Sequence, residues 1–165
     1  MVEHTDKPDM GNLTSVQIGA IGESVVAVGL MQATGGRLTP FEPFADDDGI
    51  DLLIYDKVTR RALPLQVKTR TKFDNEKAQT VQFDVQRSTF TDQGGTHLLA
   101  VLLDGTEFVC SWLVPMNDLQ AVARSNATKY TIVPSAKETS KDRNSPFRHT
   151  SFEDVARTLI ETMNG

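Results

Sequence analysis

Apolar positions recur at helical spacing at both ends of the chain and at strand spacing between them. The stretch VQIGAIGESVVAVGLMQA predicts a first helix, with Ile21, Val25, Val28 and Met31 on one face. Thr14 followed by Gln17 forms a capping box that starts it near residue 14, and Gly35-Gly36 ends it. Gly19, Gly22 and Gly29 each weaken a helix by about 1 kcal/mol relative to alanine, and they suit close approach to a sheet. RLTPFEPF reads as an irregular edge strand because its prolines cannot donate ladder hydrogen bonds. GIDLLIYD and ALPLQVKTRT are the next two strands, and TVQFDVQ is a fourth extended segment. A short irregular or helical crossover runs through Gly94-Gly95. THLLAVLLD is almost continuously apolar, as a buried central strand is. EFVCSWLVP pairs with it across an Asp104-Gly105 turn. MNDLQAVARS is a short helix capped by Asn117 or Asp118, KYTIVPS a late strand and AKETSKDRNS a mobile polar loop. SFEDVARTLIETM closes the chain as a helix opened by Ser151 with Asp154, its apolar stripe being Phe152, Val155, Leu159 and Met163.

Length and composition narrow the class. The chain has 165 residues, of which 39% are apolar. That fits a flexible arm over residues 1–13 and a single domain over 14–165. No apolar run approaches the roughly 18–20 residues that span a bilayer, so no membrane partner is expected. The polar, acidic start MVEHTDKPDMGN lacks the form of a secretory signal. The one cysteine, Cys110, cannot form an internal disulfide, so a reduced, cytoplasmic protein is expected. A net charge of −5 argues against coating nucleic acid through bulk charge. The charge is uneven, however: residues 57–72 carry six basic side chains and no acidic one, directly after FADDDGIDLLIYD with its five aspartates.

Strand alternation brings chemistry together at that boundary. Asp51, Leu53 and Tyr55 share one face, and Pro64, Gln66 and Lys68 share one face of the next strand. A hairpin around residues 56–61 pairs residue 55 with 62 and 53 with 64, which sets Asp51 opposite Gln66 with Lys68 one diagonal step away. A two-residue slip sets Asp51 opposite Lys68 and keeps the face; a one-residue slip buries the wrong side. The Asp and Gln oxygens are hard ligands suited to Mg²⁺. The ammonium can stabilise charge building on a phosphate. Glu23, on the helical strip with Ala20, Ala27 and Leu30, joins them if that helix packs on this sheet; otherwise it is a solvent-facing glutamate.

Helix-borne Glu23, GID at 49–51 and QVK at 66–68 resemble the PD-(D/E)XK nuclease superfamily, and most of all its QxK-bearing branch, as in Mrr-type restriction enzymes. The resemblance covers roughly residues 14–110. It implies an α/β (α+β) fold with an αβββαβ core, a mixed central sheet flanked by helices, and extra C-terminal strands and a helix. It implies metal-dependent hydrolysis of nucleic-acid phosphodiesters, with DNA as the expected partner and Mg²⁺ or Mn²⁺ as the metal. Asp51 would be the metal-binding aspartate, Gln66 would hold the place usually taken by Glu or Asp, Lys68 would be the catalytic lysine, and Glu23 the further acid of the first helix. Gln66 is the departure: a neutral ligand removes one negative charge from the site and weakens metal binding. A catalytically inactive nuclease-fold binding or interaction module is therefore the alternative, and a homodimer built on the long apolar strand is a third reading.

Other groups add less. Arg60, Arg61, Arg70 and Lys72 fit nucleic-acid backbone contacts, or a solvated hairpin tip. Asp46, Asp47 and Asp48 lack the spacing of a helix–loop–helix calcium site and read as a solvated turn. His4, His97 and His149 have no partner at metal-ligand spacing; Cys110 and Trp112 read as core.

Overall fold

The computed structural model describes residues 10–45, 48–72, 79–91 and 95–165. The expected arm therefore lies outside the described residues as far as residue 9, as do Asp46, Asp47 and Gly94. Helix α1 spans Ser15–Ala33, followed by strands β1 (Leu38–Phe41), β2 (Leu52–Asp56), β3 (Arg61–Thr71) and β4 (Phe83–Gln86). Then come β5 (His97–Asp104), β6 (Glu107–Pro115), helix α2 (Met116–Val122), β7 (Arg124–Ser125), β8 (Lys129–Ile132), β9 (Arg148–His149) and helix α3 (Phe152–Asn164).

Six strands form one mixed sheet in the order β1-β2-β3-β5-β6-β9, and β4-β8-β7 form a smaller one. Only the β3–β5 pair in the large sheet is parallel. Such a pair needs a crossover rather than a tight turn. Where a crossover helix was allowed for, the described residues hold β4 and a 3-10 turn over Arg87–Thr89, with no α-helix.

Three layers result. On one face of the large sheet, α1 and α3 bury Val26, Leu30, Val155 and Leu159 against Leu52, Ile54, Leu63, Leu65, Leu99 and Val101. On the other face, the small sheet and α2 cover Leu98, Ala100, Leu102, Cys110, Trp112 and Val114 with Phe83, Val85, Ile132 and Leu119. β5 is buried on both sides, which is why its sequence shows no alternation. The second cover reaches only the β5 border of β3 and leaves β2 and β1 open: Leu53 is 38% exposed there and Phe41, on β1, 53%.

The first helix packs on a different face from the expected one. Val28 and Met31 are largely solvent-facing, and the buried line is Gly22, Val26 and Leu30. The reason is Gly22: with no Cβ it lets the helix backbone lie against the side chain of Thr69 on β3, where any Cβ would overlap it. The line that contains Gly22 is thus the inward one. The capping box at Thr14 is formed as expected, with the Gln17 N–H donating to the Thr14 hydroxyl and the Thr14 N–H to the Gln17 side chain. By length and composition α1 is long and apolar enough to cross a membrane, contrary to the expectation of no such run. Its inner line packs against the sheet as a core helix does.

The other helices need smaller corrections. α2 begins at Met116, so Asn117 and Asp118 lie within its first turn rather than capping it. Ser151 caps α3 by accepting from the Asp154 N–H, and the expected stripe is its inner face. The late polar loop is organised around Asp142, whose side chain accepts from the Ser135 and Asn144 N–H groups and the Ser140 hydroxyl.

The β2–β3 hairpin is fastened by an ion pair. Arg37 donates twice to the fully buried Asp56 carboxylate, at 2.9 and 2.8 Å, and the Val58 N–H and Thr59 hydroxyl donate to it as well. The Arg37 hydrogen bonds hold the Asp56 carboxyl well below the usual carboxylate range, against the opposing effect of burial. A depressed folded pKa gives stability that is present above the unfolded value, about 3.9, and is lost as pH falls toward the folded one. Asp56→Asn is expected to flatten the acid arm of a stability–pH curve below about pH 4, read by urea melts; an unchanged arm would refute this. The glycines give a second test. Gly22→Ala should cost about 1–3 kcal/mol by overpacking, whereas Gly19→Ala, with nothing within 4 Å of a new Cβ, should gain about 0.5–1 kcal/mol.

Candidate functional site

β2 and β3 pair in the expected register, Leu53 with Pro64 and Tyr55 with Ala62. Asp51, one residue before β2, falls opposite Gln66. The ladder ends there by a substitution of acceptors. The Asp51 N–H donates to the Leu65 carbonyl at 2.9 Å. The next N–H of β3, that of Val67, donates to the Asp51 carboxylate at 2.6 Å. A side chain has taken the place of a strand carbonyl.

Beyond this point β3 continues to Thr71, held only by β5 on its other side, from Val67 opposite Leu99 to Thr71 opposite Leu103. Among the described strands none pairs with residues 67–71 of β3 on the β2 side. The sheet therefore has a notch between its two faces. Gln66 and Lys68 lie at the notch on the face away from the helices, Gln66 opposite Leu98 and Lys68 opposite Ala100 on β5. Glu23 is half-buried on α1, on the helix side. It directly follows Gly22, whose backbone lies on Thr69. Alternation thus brings Asp51, Gln66 and Lys68 to one face, whereas Glu23 lies on α1, on the helix side of the sheet.

Gln66 is only 2% exposed. Its roof is the 3-10 turn after β4, where the Thr89 hydroxyl accepts from Gln66 Nε2 at 3.4 Å. The loop before Asp51 closes the other side through Gly49, at a φ of 76°. A Cβ on Gly49 would lie 2.6 Å from the Thr89 Cβ and 3.0 Å from Gln66 Nε2, so glycine is required for both backbone angle and space. The sequence marks Gly49 only as part of the GID element, and nothing marks Thr89. The Gln66 Oε1 atom is buried without a hydrogen-bond partner. An orphaned oxygen of this kind is what a hard cation would satisfy.

The basic residues divide. Arg70 is exposed on the face of Lys68, its Nε donating to the Gln82 carbonyl. Arg60, at a φ of 62°, donates to the Tyr55 hydroxyl on that same open face. Lys72 follows the end of β3, its N–H bonded to the Leu103 carbonyl. Arg61 instead donates to the Met163 carbonyl at the end of α3, so it ties the hairpin to the helix layer and is not brought to the others. Asp48 accepts from the Ile50 N–H, as in a simple turn. His97 and His149 bond backbone carbonyls of their own loops, and burial pushes the Cys110 thiol up. Among the described residues no three His, Cys, Asp or Glu side chains cluster as a metal site. A cation at the notch would therefore depend on the amide oxygen.

A first helix packed on an antiparallel β1-β2-β3 unit, with β5 added in parallel to β3, is the restriction-endonuclease-like fold. No model of a known protein family matches the chain, and no characterised protein matches it in sequence. Among solved structures it is similar to the bacterial homing endonuclease I-Ssp6803I, with 17% identity, a TM-score of 0.60, and coverage of 92% of this chain and 94% of that one. A looser likeness, with 13% identity and a TM-score of 0.45, is to the Holliday junction resolvase Hjc of Archaeoglobus fulgidus; it covers 79% of this chain and 96% of that one.

The Asp51 carboxylate has a structural duty separable from any chemistry. Asp51→Ala should cost about 1–3 kcal/mol by leaving the buried Val67 N–H unpaired. Asp51→Asn, which keeps an acceptor oxygen, should cost less. Equal denaturation midpoints for the two variants would refute this.

Proposed function

We propose that the chain is a metal-dependent nuclease that hydrolyses phosphodiesters of DNA. The observation that carries this reading is the orphaned Gln66 oxygen, on a residue opposite Asp51 and two positions before Lys68 on the same face of β3. Asp51 and Gln66, with Glu23 from the helix side, would hold Mg²⁺ or Mn²⁺. When bound, such an ion polarises a phosphate and lowers the pKa of a coordinated water. Lys68 lies on the same face, where its ammonium would stabilise charge building on the phosphate oxygens. Arg60 and Arg70 would contact the backbone along the uncovered face of β2 and β3, and Lys72 at its end, without reading sequence. The turn at Thr89 keeps water from the amide. The fold supports the reading, and the similar solved structure I-Ssp6803I is by name a homing endonuclease.

One observation favours a second reading, a nuclease-fold module that binds without cleaving: the described residues supply no cluster of three ionisable ligands. Calorimetry separates the two. Binding of Mg²⁺ or Mn²⁺ that is lost in Asp51→Asn supports the nuclease. No binding at millimolar metal, with the fold intact, supports the module. For the chemistry, Lys68→Ala should lower cleavage of plasmid or branched DNA by about 10²–10³-fold in the presence of either metal. Unchanged cleavage would refute the assignment.

A further inference from the structure

A carboxamide in a ligand position raises a problem that a carboxylate does not. Its two ends are unlike: the oxygen can coordinate a cation, while the NH₂ group is a donor that repels one. A site built on Gln66 works only if something fixes which end faces the notch. Water cannot do so, because Gln66 is 2% exposed.

Thr89 has the required chemistry. Its hydroxyl proton is directed to the Gln86 carbonyl at 3.3 Å, within its own 3-10 turn. The hydroxyl oxygen is left with lone pairs toward Gln66, and it takes the Nε2 donor at 3.4 Å. The Gly49 backbone packs on the same end of the amide, a Cβ there lying 3.0 Å from Nε2. The Thr89 hydroxyl is thus the acceptor at the nitrogen end. A flipped amide would set oxygen against lone pairs and lose its donor. The Oε1 atom is therefore the end turned away, and it is the atom without a partner.

We propose that Thr89 is a positioning residue that orients the Gln66 amide so that its oxygen faces a divalent cation. This rests on the metal-binding reading of the notch given above. Thr89 touches neither cation nor substrate; it acts through Gln66. The same logic says when it should not matter. A carboxylate has no wrong end, so in a Gln66→Glu background the orienting contact becomes dispensable.

The test is calorimetric titration with Mn²⁺ alone, with a thermal melt of each variant. In the wild-type chain, Thr89→Val should weaken Mn²⁺ binding by about 10–100-fold, the usual cost of losing an outer-shell partner. Thr89→Ser, which keeps the hydroxyl, should restore it to within a few-fold of wild type. In the Gln66→Glu background, Thr89→Val should change affinity by less than about threefold, a non-additivity that a merely structural role would not produce. Equal losses in both backgrounds, or no loss in either, overturn the proposal while leaving the metal reading intact. No Mn²⁺ binding by the wild-type chain overturns both. Should Thr89→Val fail to fold, side-chain NMR of the wild-type protein decides. Cross-relaxation between the Gln66 Nε2 protons and Thr89 supports the proposal; its absence, with those protons facing the notch, overturns it.

Discussion

The structure turns on one hydrogen bond, from the Val67 N–H to the Asp51 carboxylate. A β-ladder normally ends where the partner strand runs out, leaving a donor to water. Here a side chain closes the ladder, so β2 can stop at Leu52 while β3 runs on. That early stop opens the sheet at the level of Lys68 and Thr69. It also places a carboxylate at the opening with its geometry already fixed. Position and chemistry come from the same atom, and a residue that served only one of them would disturb the other.

The layers explain why polar side chains persist there. β5 and β6 are covered on both faces and can carry almost nothing polar inward. β3 is covered fully by helices on one side and only at its β5 border on the other. Its outward residues therefore pass from open, at Ala62, through a roofed Gln66, to the half-exposed Lys68. The gradient places the amide out of water and the ammonium within reach of it. The Arg37–Asp56 pair at the opposite end of β2 holds the hairpin in the register that this gradient needs.

Much of this was legible in the chain. The facing of Asp51, Gln66 and Lys68 follows from alternation, because a one-residue slip would bury the wrong face, and the expected hairpin register is the one formed rather than its two-residue slip. The nuclease-like architecture followed from the same residues through their family resemblance. The face of α1 was not legible: apolarity pointed to Val28 and Met31, while the contact was decided by the absence of a side chain at Gly22. Arg61 was read with its neighbours as a phosphate contact, but it lies on the odd, inward face of β3 and bonds the end of α3. Thr89 lay out of reach of any pattern. It meets Gln66 across 23 residues, through a crossover whose path no local rule specifies.

The parallel β3–β5 pairing has a consequence for the order of assembly. The β2–β3 hairpin closes over a short turn at residues 57–60, so its contacts are local and form early. The turn bearing Thr89 reaches Gln66 only when the long segment between β3 and β5 has folded back, and that chain-closure entropy is met late. During folding the amide is thus free to rotate until that segment closes over it. The pocket is completed by topology rather than by the residues that line it first.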